Sequence, residues 1–91
     1  MSQVHKIKCW PEHFQSVKAG LKLAEVRKDD RGYQVGDILH LQEWEPVTEN
    51  YTKDEIFREV THVLQGGQFG VEDGYVVMSL KHPNGIHIPG R

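Results

Sequence analysis

Thr52-Lys53-Asp54-Glu55-Ile56-Phe57-Arg58-Glu59-Val60-Thr61-His62-Val63-Leu64 admits two secondary structures, and the choice between them decides the fold class. With a helical period, Thr52 and Glu55 have the spacing of a capping box, and Ile56, Phe57, Val60, Val63 and Leu64 form one apolar stripe. With a period of two, the β-branched run Val60-Thr61-His62-Val63 suits a strand that sets Ile56, Arg58, Val60, His62 and Leu64 on one side. Taken in isolation, capping and periodicity lean toward the helix.

The flanking segments read as strands and connections. Ile38-Leu39-His40-Leu41-Gln42-Glu43-Trp44 alternates cleanly, with Leu39 and Leu41 on one face and His40, Gln42 and Trp44 on the other, so it predicts a strand. Tyr75 to Leu80 reads as a buried strand, and the polar stretch Glu45 to Thr52 as a connection. Gly66 to Gly74 holds closely spaced glycines without the Gly-Lys-Ser/Thr ending of a phosphate loop, which leaves a mobile cleft rim or a plain hairpin connection.

Toward the start, His5 to Cys9 is a short extended candidate. Pro11 suits the first turn of a helix running to Ala19, with Phe14 and Val17 on its inner face and Gly20 as its stop. Leu21 to Arg27 reads as an amphipathic strand near a sheet edge, followed by turns at Asp29 to Gly32 and Val35 to Asp37. In the tail, residues 81–91, Ile86 and Ile88 suggest either a short edge strand or a frayed end. One early helix followed mostly by strands predicts a small mixed barrel or curled sheet.

A chain of 91 residues is sized for one domain, residues 1–91, with a thin core and a shallow cleft rather than an enclosed cavity. With 11 Lys+Arg against 13 Asp+Glu, it lacks the broad basic face that long duplex DNA requires. RNA, or one nucleotide or nucleoside in a small positive pocket, remains compatible. No signal-peptide pattern and no membrane-length apolar run appears, so the expectation is a cytoplasmic protein with no membrane partner. Cys9 is a single cysteine and reads as a core or edge residue. The dispersed histidines have no ligand spacing, so no metal and no cofactor is expected; His13 alone is placed to reach a cleft mouth. A monomer or weak dimer is expected.

The densest polar constellation is Gly20-Leu21-Lys22-Leu23-Ala24-Glu25-Val26-Arg27. In an ideal strand Glu25 and Arg27 share a face and Lys22 takes the other, so the three converge only if the chain bends at Gly20 or Lys22. Converged, Lys22 and Arg27 anchor a phosphate or base carbonyl, while Glu25 accepts from an exocyclic amine or holds Arg27. The plainer reading is a solvated strand of alternating charge. Trp10 offers either a stacking wall or a staple between helix and sheet. Tyr75 and Trp44 suit barrel-end plugs, Tyr75 with a possible ligand contact. Tyr33 should pack over a turn, and Arg31 should bind phosphate or pair with Asp29, Asp30 or Glu25.

Gly20-x-Lys22-x-x-Glu25-x-Arg27 resembles the signature of the ASCH domain, a member of the PUA-like superfamily. The wider pattern is similar to a small ASCH-like branch of bacteria and phages: Lys8-x-Trp10-Pro11 before Phe14, Asp30-Arg31-Gly32-Tyr33, Val35-Gly36-Asp37, Glu43-Trp44, Val60 to Leu64, and Gly74-Tyr75-Val76-Val77. The resemblance implies a mainly β fold with α, a small PUA-like pseudo-barrel with the early helix packed beside it. It turns Ile56 to Leu64 into a long strand, against propensity but in keeping with a sheet that needs partners for its short strands.

It also implies a cleft lined by the Lys22 to Arg27 segment that binds RNA, a nucleotide or a modified nucleoside. Its site residues are Lys22, Glu25, Arg27, Trp10, Arg31 and Tyr75. Some ASCH proteins hydrolyse the acyl amide of a modified cytidine with a lysine, a threonine and a glutamate. Lys22 matches that lysine, Glu25 stands where those hydrolases carry threonine, and Glu72 or Asp73 is the nearest acid to Tyr75 for the glutamate. An amidohydrolase with Lys22 as base or nucleophile and Glu25 orienting water is therefore the alternative.

Overall fold

The computed structural model describes residues 2–83. Five strands and one helix follow in the order β1 (Val4–Cys9), α1 (Pro11–Lys18), β2 (Ala24–Lys28), β3 (Ile38–Glu45), β4 (Asn50–Gln65) and β5 (Tyr75–Lys81). The strands form one sheet in the order β1-β3-β4-β5-β2. β1 and β3 pair in parallel and the other neighbours are antiparallel. The sheet curls into a half-barrel, a mainly β fold with α. Ile86, Ile88 and His87 lie outside the described residues.

The stretch from Thr52 to Leu64 is strand throughout, inside the 16-residue β4. The helical leaning fails because β4 is the strand that ties β3 to β5: its first part, Asn50 to Glu59, pairs with β3, and its second part, Glu59 to Gln65, pairs with β5. Tertiary pairing outweighs a few tenths of a kcal/mol per residue of propensity. The uninterrupted alternation fails as well. A register shift between Val60 and His62 adds one residue, so Val60 is buried, Thr61 and His62 are exposed, and Val63 packs on the core. The expected connection from Glu45 to Thr52 shrinks to residues 46–49, because strand pairing already reaches Glu45 and Asn50.

The core inside the curl combines Ile7, Leu39, Leu41, Val60, Val76 and Met78 with Phe14 and Val17 of α1. Gly36 and Asp37 then bring the chain into β3, and Asp37 is buried there. Its carboxylate accepts from His5 Nε2 at 2.8 Å, from Gln3 N at 3.1 Å and from Gln34 N at 3.0 Å. Burial opposes ionisation of Asp37, yet these hydrogen bonds outweigh it and hold the carboxyl below its ordinary value of 3.8. A carboxyl depressed on folding stabilises the fold fully above its unfolded pKa, and that share disappears as pH falls through the folded pKa. Stability is therefore expected to fall below about pH 4, with a shallower acid dependence in Asp37→Asn; identical acid profiles would remove Asp37 from this role.

The Gly66 to Gly74 segment is a hairpin connection, closed by Gly66 N donating to Tyr75 O at 2.7 Å. A Cβ at Gly66 would stand 2.0 Å from Glu72 O, so this position has no room for a side chain.

Candidate functional site

β1 and β2 are the two edges of the curled sheet, and they face each other across an open seam. Side chains cross it. Arg27 Nη2 donates to Lys8 O at 2.6 Å, and Arg31 Nη1 donates to Lys6 O at 2.6 Å. Each guanidinium thus occupies an edge carbonyl of β1 that a neighbouring strand would otherwise take.

The bend on which convergence depends is present. α1 ends in a Schellman motif: Gly20 N donates to Val17 O and Leu21 N to Ser16 O, both at 3.0 Å, with Gly20 at φ +78. Leu21 to Leu23 are outside β2, which begins only at Ala24, so the strand is shorter than Leu21 to Arg27. That irregular exit lets Lys22 point back along α1, where its Nζ lies 3.3 Å from His13 Nδ1. The apolar face expected from Leu23 and Val26 stays exposed, at 62% and 58%, and the buried side chain of β2 is Glu25 at 4%.

Lys22, Glu25 and Arg27 surround one hollow of about 510 Å³, with Trp10 and His13 from the start of α1 and Lys8 from β1. Trp10 is 56% exposed, so its indole is open to a ligand while Pro11 begins the helix behind it. Glu25 Oε2 accepts from Arg27 Nε at 2.7 Å. Glu25 Oε1 is buried and has no hydrogen-bond partner among the described residues. A buried carboxylate oxygen without a donor is costly, about 1–3 kcal/mol or more, which favours any ligand that brings an N–H to it. Because Oε1 has no open surface of its own, such a donor reaches it only after the wall of the hollow shifts.

Cys9 also lines the hollow, but burial, then the charge of Glu25, pushes its thiol up to about 11. The protonated sulfur is a core atom at neutral pH, not a nucleophile.

Arg31 stands beside this group, in an adjoining hollow of about 180 Å³ that it shares with Arg27, Lys28, Asp30 and Tyr33. Its Nε is 3.9 Å from Asp30 Oδ1, the looser of its two contacts. Tyr75 opens β5 opposite Lys28 and lines neither hollow, and neither does Glu72, Asp73 or any other residue of the glycine-rich loop. Trp44 carries Lys8 Nζ over its ring at 4.2 Å. Tyr33 is buried with its ring edge-on to His5, as expected of a residue packed over a turn. Among the described residues no cluster of three or more metal-ligating side chains occurs, and no helix is long and apolar enough to cross a membrane.

Sequence reading missed Lys8 as a wall of the site and missed the buried pair His5–Asp37. A signal existed for His5, since it alternates with Ile7 and Cys9 and so shares their buried face. The same signal existed for Glu43, which shares the face of Leu39 and Leu41; it is buried and accepts from Gln15 Nε2 at 2.9 Å and Thr52 Oγ1 at 2.6 Å.

Comparison with known proteins bears on this arrangement. The chain is 46% identical over 44 residues to an "Uncharacterized 12.9 kDa protein in GpA 3'region" of Escherichia phage P2. The match covers 48% of this chain and 40% of that relative's length. A wider match, over residues 4–80, takes in β1 to β4, α1 and nearly all of β5, with both hollows between. By that match the chain belongs to the family described as Domain of unknown function (DUF3850).

Proposed function

We propose that the chain is an ASCH-type, PUA-like binding module for RNA, a nucleotide or a modified nucleoside, with a base seated in the hollow beside Trp10. The observation that carries this reading is the meeting of Lys22, Glu25 and Arg27 around one concavity, with Glu25 Oε1 buried and unpartnered. The chemistry follows from the groups. The Trp10 indole offers a stacking face, and stacking of a base on an aromatic contributes about 1–3 kcal/mol. Glu25 accepts from an exocyclic amine, and Lys22 supplies a cation to a base carbonyl.

Titration with free nucleosides, followed by tryptophan fluorescence, tests the reading. Cytidine, which carries an amine, is expected to bind about tenfold more tightly than uridine, which carries a carbonyl there. Lys22→Ala and Glu25→Gln are each expected to weaken cytidine. Absence of saturable binding by any nucleoside overturns the proposal.

The Lys22–His13 contact favours one second reading, amide hydrolysis of an acylated cytidine, because a ring nitrogen beside an amine is a path for a proton. Against it stands Glu25, which has no hydroxyl and is already engaged by Arg27. Turnover of acylated cytidine that disappears in Lys22→Ala would establish the hydrolase in place of the binding module. Binding without turnover is the expected outcome.

A further inference from the structure

The hollow beside Trp10 is continuous with the smaller one along the seam, since Lys8 and Arg27 line both. We propose that the smaller hollow is a phosphate subsite, so that the ligand is a nucleotide or a single strand carrying phosphate rather than a free nucleoside. The inference rests on the base site proposed above and extends it to a second group of residues.

Charge is the first support. Lys28 and Arg31 line this hollow against the single carboxylate of Asp30, while Arg27 in the same wall is paired with Glu25 and Lys8 holds its ammonium over Trp44, which leaves a local positive excess in a chain whose formal charge is -2. Donor inventory is the second. Arg31 spends one N–H on Lys6 O, and its contact with Asp30 at 3.9 Å is a loose surface pair of a kind worth about 0–1 kcal/mol. A phosphate therefore meets guanidinium donors that are oriented by β1 but not used up.

Spacing is the third. The carbonyls of Lys6 and Lys8 that hold the two guanidinium groups lie two residues apart on one strand edge, about 6.6 Å by strand rise. A base beside Arg27 thus has its own or its neighbour's phosphate within reach of Arg31. Lys28 and Arg31 at the seam suit one phosphate and fall short of the many contacts that duplex binding uses.

The test compares cytidine, cytidine monophosphate and a cytidine trinucleotide on the wild-type chain, Arg31→Ala and Lys28→Ala. Lys28 is exposed, so its variant guards against loss of fold at Arg31. The monophosphate is expected to bind about tenfold more tightly than cytidine to the wild type. In both variants that ratio should fall at least about threefold, and the salt dependence of trinucleotide binding should become shallower. Tighter binding of the trinucleotide than of the monophosphate identifies a strand as the source of the phosphate; equal binding identifies a free nucleotide.

If cytidine binds and the monophosphate gains nothing, the phosphate subsite is overturned while the base site stands. A gain that survives in both variants overturns this location for it. If none of the three ligands binds, both proposals fall together.

Discussion

Asp37→Ala is expected to lower the unfolding free energy by about 3 kcal/mol, a large share of the roughly 5–15 kcal/mol that holds a domain of this kind. The substitution removes one acceptor and strands three donors: His5 Nε2 and the backbone N–H groups of Gln3 and Gln34. Two of the partners hold the chain on either side of β1 and β3, the parallel pair in which Val4 faces Ile38. Losing the carboxylate therefore unpins the register of that pair as well as leaving the buried His5 without its partner. Urea denaturation measures it, as a fall in midpoint at unchanged slope. A loss below about 1 kcal/mol would mean that solvent takes over the three donors, and the assigned role of Asp37 would be wrong.

The second large effect concerns the pair at the centre of the site. Arg27→Ala removes the Nε contact to Glu25 Oε2 and the Nη2 contact to Lys8 O together. It leaves a buried carboxylate with neither oxygen partnered. Breaking a fully buried pair from one side costs about 3–5 kcal/mol, and because the Arg27 side chain remains 30% exposed the expected loss is nearer about 2–3 kcal/mol. Most of that loss comes from the stranded charge of Glu25, so the double variant Arg27→Ala/Glu25→Gln should recover about 1 kcal/mol or more of it. Equal stability of the single and double variants would show that the carboxylate finds solvent once Arg27 is gone.

The same pair explains why a site can sit on the barrel seam at moderate cost. The guanidinium closes an open sheet edge and neutralises a buried acid at once, and it keeps part of its surface for a ligand. Under the proposed binding reading Arg27 serves both the structure and the ligand, and its truncation should affect both properties. Lys22 is the separable member. It lies outside β2, and among the described residues its ammonium is hydrogen-bonded to the exposed His13 side chain, so its removal is expected to reach binding with little effect on stability.

Local chemistry made much of the fold legible. Pro11 and Gly20 bracket α1 because one lacks the N–H that a first helical turn leaves unused and the other takes the left-handed conformation that ends the last turn. The alternation of Ile38 to Trp44 marks β3 because one of its faces meets the core. The octapeptide from Gly20 to Arg27 carries three of the residues that line the larger hollow, Lys22, Glu25 and Arg27, and their convergence requires a bend at Gly20 or Lys22, which Gly20 supplies at φ +78.

Non-local pairing decided the rest. Thr52 to Leu64 carries a helical stripe that no local rule rejects; it is a strand because β3 supplies ladder partners up to Glu59 and β5 supplies them from Glu59 onward. The bulge after Val60 follows from matching β4 to β5 and has no mark in composition. The sequence by itself determined which residues are helix stop, core strand and charged cluster, since these depend on backbone conformation and side-chain polarity within a few residues. Only the tertiary structure decided that Arg27 and Arg31 reach across to Lys8 and Lys6, and that Glu25 is buried among them. β1 and β2 are consecutive along the chain but stand at opposite ends of the sheet order, so only the closing of the curl by β3, β4 and β5 brings their edges together, and no local preference encodes that closure.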